Sequence, residues 1–140
     1  MTLMAIAIFI FVFMYASYTD IKEYEIPVKW VNLATSIILL LFFLDYIKYG
    51  SGFLLNGLLG AAIGYAVSFV LFIKDTDQFG YGDVVLIRMI GALLGVQSMF
   101  VIITIAAICG IIIIKVSCRP RIPFGPVLFG SSIFYFIIFL

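Results

Sequence analysis

The 140-residue sequence has no histidine, only two cysteines and little charge: eight Lys and Arg, seven Asp and Glu, for a net charge of +1. Without histidine, His-based metal centres and the Ser-His and Cys-His nucleophile pairs are excluded. Cys109 lies in an apolar run and Cys118 among basic residues, so they read as two separate thiols rather than a disulfide. No metal and no other cofactor is expected. Without a basic cluster there is no footprint for phosphate neutralisation, which sets nucleic-acid binding aside. Any catalysis has to come from carboxylates, hydroxyls, lysine or a lone thiol.

What is abundant is apolar. Hydrophobic residues make up 66% of the chain and charged residues 11%, against about 45–50% and about 25% in ordinary globular domains. So few polar groups cannot cover a water-soluble particle of this composition, and the medium implied is a lipid bilayer.

Runs of roughly 17–25 apolar residues, long enough to cross a bilayer, organise the chain. Leu3–Tyr18 is the first; its basic residues follow the run instead of preceding it, the reverse of a cleaved signal peptide, so a true span is expected. Val28–Tyr46 is opened by Pro27 and closed by Asp45, Lys48 and the Gly50-Ser51-Gly52 turn. Phe53–Ile73 holds Gly57, Gly60, Ala61, Ala62, Gly64 and Ala66, small residues that let membrane helices approach closely. Val84–Ile114 as one helix would measure about 46 Å, against about 30 Å of hydrocarbon. A break at Gly95-Val96-Gln97-Ser98 is therefore expected, giving a short fourth span and a fifth over Met99–Ile114. Phe124–Leu140 is the last. The expected fold is all-α, a single polytopic membrane domain over residues 1–140 with about six transmembrane helices.

Lysine and arginine collect in cytoplasmic loops. Lys22 and Lys29 fall in loop one, Lys74 in loop three, and Lys115, Arg119 and Arg121 in loop five; Lys48 alone falls in loop two. Both termini are thus expected outside. Six of the seven acids, Asp20, Glu23, Glu25, Asp75, Asp77 and Asp83, then share the cytoplasmic side.

Glu23, Glu25, Asp75 and Asp77 lie in short loops beside Lys22 and Lys74 and read most simply as solvated; Asp75-Thr76-Asp77 lacks the further ligands a metal needs. Asp20 and Asp83 abut apolar runs, where ionisable groups face a bundle interior or a water-filled cavity. Asp83 has a plain structural reading as the N-cap of the helix that follows. Asp20 has none, since it stands at the C-terminal end of the first helix, where the helix dipole disfavours an anion. Gly80-Tyr81-Gly82 permits unusual backbone angles and close approach, and irregular backbone at membrane depth persists only where protein buries it or water lines it. A polar nook opening to the cytoplasm is expected.

Three segments carry a family resemblance: Asp20-Ile21-Lys22-Glu23-Tyr24-Glu25-Ile26-Pro27; Gly80-Tyr81-Gly82-Asp83 with Ile90-Gly91-Ala92-Leu93-Leu94-Gly95 after it; and Ile122-Pro123-Phe124-Gly125-Pro126. In this order, all on the cytoplasmic side, the whole chain resembles the type IV prepilin leader peptidases. The resemblance implies an aspartyl endopeptidase of the inner (cytoplasmic) membrane that removes the basic leader from prepilin-like precursors of pilus or secretion systems. It implies Asp20 and Asp83 as the catalytic pair, with Gly80, Gly82, Pro27 and Pro123 as motif support. Glu23, Glu25, Asp75 and Asp77 become candidates for attracting the basic leader. The chain differs from the usual pattern in having Val28 after Pro27, acids after Asp20 where bases are usual, and Val85 where a Lys is frequent, with Arg88 the nearest cation. It is similar to the short, peptidase-only members, without the cysteine-bearing cytosolic insertion of bifunctional ones, so N-methylation is not expected.

Two neighbouring carboxyls sharing one proton can activate water and assist the leaving amine without metal or nucleophile. With Asp83 at the N–H end of a helix and Asp20 at a carbonyl end, Asp83 is the expected base and Asp20 the acid. Two other classes compete. A small proton-coupled transporter needs carboxylates at mid-membrane, and a non-catalytic assembly subunit packed through the Gly/Ala-rich third helix leaves Asp20 unexplained.

Overall fold

The computed structural model describes residues 2–50, 52–75, 79–118 and 122–139, and among these every regular element is helical. α1 spans Thr2–Glu23, α2 Val28–Tyr49, α3 Phe53–Lys74, α4 Tyr81–Ser117 and α5 Phe124–Phe139. The first four are long and apolar enough to cross a membrane; α5, at 16 residues, is apolar but shorter. The protein is a membrane protein. α1 and α2 run past the expected apolar stretches, through Asp20 to Glu23 and through Lys48 to Tyr49. Backbone hydrogen bonding does not stop where the first charge appears.

The largest departure from expectation is in α4. Where two helices and a four-residue break are expected, a single 37-residue helix leaves helical angles only at Gly95, with φ 82° and ψ −179°. That region is open essentially to glycine alone. Val96, Gln97 and Ser98 are helical and form no loop. One residue is nonetheless enough to turn the chain back. The Met99 sulfur fills the space beside both Gly64 and Gly91, and the ring of Phe124 lies against Gly110. Phe124 also lines the same cleft as Asp83, whereas a straight helix would carry Gly110 about 40 Å from Asp83. α4 therefore consists of two arms, about 21 Å and about 33 Å long at ~1.5 Å per residue, folded back on each other at Gly95.

α3 packs on α4 through backbone. Gly57, Gly60 and Gly64 bury one face of α3, and Gly60 meets Gly91 so closely that a Cβ on either would run into the other's carbonyl oxygen. Between two apolar surfaces in lipid there is no hydrophobic driving force, so close van der Waals contact holds the pair. α1 and α5 pack through rings: Phe9 and Phe13 are 5.1 Å apart, Phe13 stacks on Phe129 at 5.4 Å, and Phe9 meets Phe136 edge-on at 6.0 Å. α2 contributes Val31, Ala34, Ile38 and Phe42 to the core shared with Leu86, Ile87 and Ile90 of α4. The outward faces expose Leu40, Ile47, Leu55 and Ile113, as suits a lipid solvent.

This arrangement gathers at one end of the bundle the C-terminal end of α1, the N-terminal ends of α2, α4 and α5, and the C-terminal end of the second arm of α4. Lys22, Lys29, Lys74 and Lys115 lie towards that end and Lys48 towards the other.

Candidate active site

A cleft opens at the basic end. Its walls are Asp20 and Tyr24 at the close of α1, Ile26 in the link to α2, Gly80, Gly82 and Asp83 at the start of α4, and Ile122, Pro123 and Phe124 at the start of α5. It offers about 70 Å³ to the centres of water molecules, room for roughly five waters. Two carboxyl groups, on helices far apart in sequence, thus line one small space with room for water. Asp20 is only 6% exposed and Asp83 only 7%. Carboxyl groups this deeply buried are rare unless they are partnered or functional.

Each is held by a main-chain N–H at the start of a helix. Gly80 donates its N–H to Oδ2 of Asp83 at 3.2 Å, and the N–H of Asp83 returns to the Gly80 carbonyl at 3.1 Å. This corrects the reading of Asp83 as an N-cap. Gly80 holds that position with extended backbone (φ −81°, ψ 152°), and Asp83 is the third helical residue, reaching back as the acid of a capping box does. Asp20 accepts the N–H of Gly125, in the first turn of α5, at 2.8 Å through Oδ2. The helix-end argument that separated base from acid therefore changes. Asp20 stands at the carbonyl end of α1 and at the N–H end of α5 together, so both aspartates receive a helix N-terminus.

The two glycines before Asp83 work differently from each other. Neither has positive φ; among the described residues the positive-φ glycines are Gly50 and Gly95. The expectation of unusual backbone angles at Gly80 and Gly82 is thus replaced by one of space, and only at Gly82. A Cβ there would lie 2.5 Å from Cβ of Ile26, whereas on Gly80 its nearest neighbour would be Oδ2 of Asp83 at 3.6 Å, ordinary contact.

The remaining sequence candidates spread out. Pro123 lines the cleft. Pro27 does not; it caps α2, its carbonyl accepting the N–H groups of Trp30 and Val31. Glu23, Glu25 and Asp75 are exposed, and Asp75 closes α3 by donating its N–H to Leu71. Asp77 lies outside the described residues. Arg88 turns away from the cleft to the Asn32 side-chain oxygen on α2 and to the Tyr65 ring on α3 at 5.9 Å. Cys109 and Cys118 are free thiols. Among the described residues no three His, Cys, Asp or Glu come together as a metal site would require.

Sequence reasoning missed Tyr24, Ile26 and Phe124 as cleft residues and the Gly125 amide as a partner of Asp20. Tyr24 carries a signal visible only in the structure, a left-handed backbone (φ 53°) in a bulky residue. Its N–H bonds to the carbonyl of Asp20 at 3.0 Å, so Tyr24 ends α1 where glycine is usual. Such strain, of order 1 kcal/mol, collects at functional sites.

Comparison with known proteins adds one match. A family model described as the type IV leader peptidase family covers residues 7–115. No curated protein and no solved structure matches the chain.

Proposed function

Since the chain belongs to the type IV leader peptidase family, we propose that it is the endopeptidase that cuts the basic leader from prepilin-like precursors at the cytoplasmic face of the inner membrane. The observation that carries this reading is the pair of buried carboxyl groups, Asp20 and Asp83, on the walls of one small cleft. In the reaction the carboxylate of one aspartate takes a proton from water as its oxygen attacks the scissile carbonyl carbon. The carboxylic acid of the other gives its proton to the departing amine, and the C–N bond breaks.

The topology of this proposal has six passes with both termini outside. The fold-back of α4 at Gly95 supports counting its two arms as separate crossings, and the lysines at the same end of the bundle as the cleft support placing that end in the cytoplasm. The transporter alternative finds less support. At the opposite end of the bundle a cavity of about 180 Å³ carries Asn56, Ser98 and Tyr135 as its polar groups and no carboxylate. Between it and the cleft lie the fully buried Leu86, Ile87, Met89 and Ile90. A scaffold alternative leaves two buried carboxyl groups sharing a cleft without a purpose.

Asp20→Asn and Asp83→Asn are each expected to abolish leader removal from a co-expressed type IV prepilin, read as a mobility shift on a blot. Both variants should still insert in the membrane. An amide can neither take the proton from water nor supply one as a carboxylic acid does. Full cleavage by either variant would remove that residue from the chemistry.

A further inference from the structure

We propose that the main-chain N–H of Gly125 is a positioning group for Asp20, so that the first turn of α5 is part of the catalytic apparatus. The inference rests on the reading of Asp20 as one of the reacting carboxyl groups.

The first four N–H groups of a helix have no partner within it. At the start of α5 two of the residues that could supply them are prolines, Pro123 and Pro126, which carry no N–H. Phe124 and Gly125 are left as donors between them, and Gly125 is spent on Asp20: N to Oδ2 is 2.8 Å, both residues are buried, and 105 positions separate them in sequence. The bond fixes one carboxyl oxygen and so sets the rotamer with which Asp20 reaches the cleft wall it shares with Asp83. The residue at 125 has to be glycine for this to happen. A Cβ built there would stand 2.7 Å from the same Oδ2 and 3.4 Å from Cβ and Cγ of Asp20, so any side chain would push the carboxyl group off its donor. A capping role for α5 alone does not require that contact, because the cleft has room for water, and water can satisfy an N–H at a helix start. A reacting group does require it, since an error of about 1 Å in its placement costs about a hundredfold in rate.

The discriminating change removes the N–H without altering shape. Replacing the Phe124–Gly125 amide by an ester, through incorporation of glycolic acid at position 125, deletes one donor that the helix itself does not use. With the full-length protein in liposomes and a purified type IV prepilin as substrate, the ester is expected to lower kcat by about ten- to a hundredfold with KM unchanged. Gly125→Ala should lower kcat at least as far, and Gly130→Ala, on the same helix with nothing within 4 Å of its added Cβ, should not. An ester-containing protein with wild-type kcat overturns the proposal, as does one whose only change is a higher KM. Asp20→Asn is measured beside it. If that variant still cleaves, the reading of Asp20 as catalytic falls and the positioning role with it. If it is inactive while the ester is fully active, only the role of Gly125 falls.

Discussion

Gly82→Ala and Gly80→Ala lie two positions apart and should differ greatly in effect. At Gly82 the added methyl carbon would stand 2.5 Å from Cβ of Ile26, 3.0 Å from its Cδ1 and 3.1 Å from its Cγ1. Comfortable carbon–carbon contact is about 3.5–4.0 Å, so the α1–α2 link and the start of α4 have to separate by about 1 Å. Overpacking of this kind costs about 1–3 kcal/mol, small enough for the protein to stay folded. The rate is more sensitive, because Ile26 and Gly82 form two walls of the cleft between Asp20 and Asp83. A shift of about 1 Å between the elements bearing the carboxyl groups should lower kcat about a hundredfold. Gly80→Ala meets only an ordinary contact at 3.6 Å, keeps the N–H that Asp83 accepts and has a backbone that alanine adopts freely, so it should stay within about threefold of wild type on the same scale. The assay is single-turnover cleavage of a purified prepilin in liposomes, with thermal unfolding measured alongside. Combining Gly82→Ala with Ile26→Gly removes the opposing Cβ and should restore much of the lost rate. Equal losses for the two alanine variants, or a Gly82→Ala protein at full activity, would refute the steric argument.

Tyr24→Gly relieves a left-handed tyrosine backbone and should raise stability by about 1 kcal/mol, yet it removes a ring from the cleft wall and should raise KM; unchanged kinetics would strip Tyr24 of any substrate contact. Gly60→Val drives a side chain into the backbone of Gly91 and should cost about 2–3 kcal/mol, read by unfolding in detergent, with an unchanged midpoint refuting the close α3–α4 contact. Gly95→Ala places a Cβ in glycine-only backbone and against Asn56, costing about 1–3 kcal/mol; a normally folded, equally stable variant would show that the fold-back does not need glycine. Neutralising Glu23, Glu25, Asp75 and Asp77 together should raise KM for a basic leader at low salt, leave kcat near its starting value and matter less as salt screens the charges over about 8 Å. A large fall in kcat would move one of these acids into the chemistry.

The parts of this fold that depend on local chemistry were legible in the sequence. Apolar length locates the helices, the excess length of Val84–Ile114 requires an interruption, and Gly95 supplies it. Asp20 stands out in the sequence through an absence, as a carboxylate at a helix end with no local role. What the sequence did not disclose is which face of each helix points inward. In a lipid solvent both faces are apolar: Leu40 is exposed and Leu41 buried, neighbours of one residue type with opposite surroundings. Hydrophobic periodicity therefore carries little information, and only small residues such as Gly57, Gly60 and Gly64 betray a contact face. The cleft was half legible for the same reason. Asp83 and its glycines announce themselves as a cluster, but the Ile26–Gly82 and Asp20–Gly125 contacts join segments whose sequences contain no mark of each other.

The distance in sequence between Asp20 and Gly125 also sets an order in time. A chain growing at about 5–20 residues per second delivers Gly125 roughly 5–20 s after Asp20. Through that interval the Asp20 carboxyl group lacks the helix end that holds it, and the cleft has no wall from Phe124. The cleft that the two aspartates share is complete only once α5 is packed in place. A nascent or truncated chain that lacks α5 is thereby without a finished cleft.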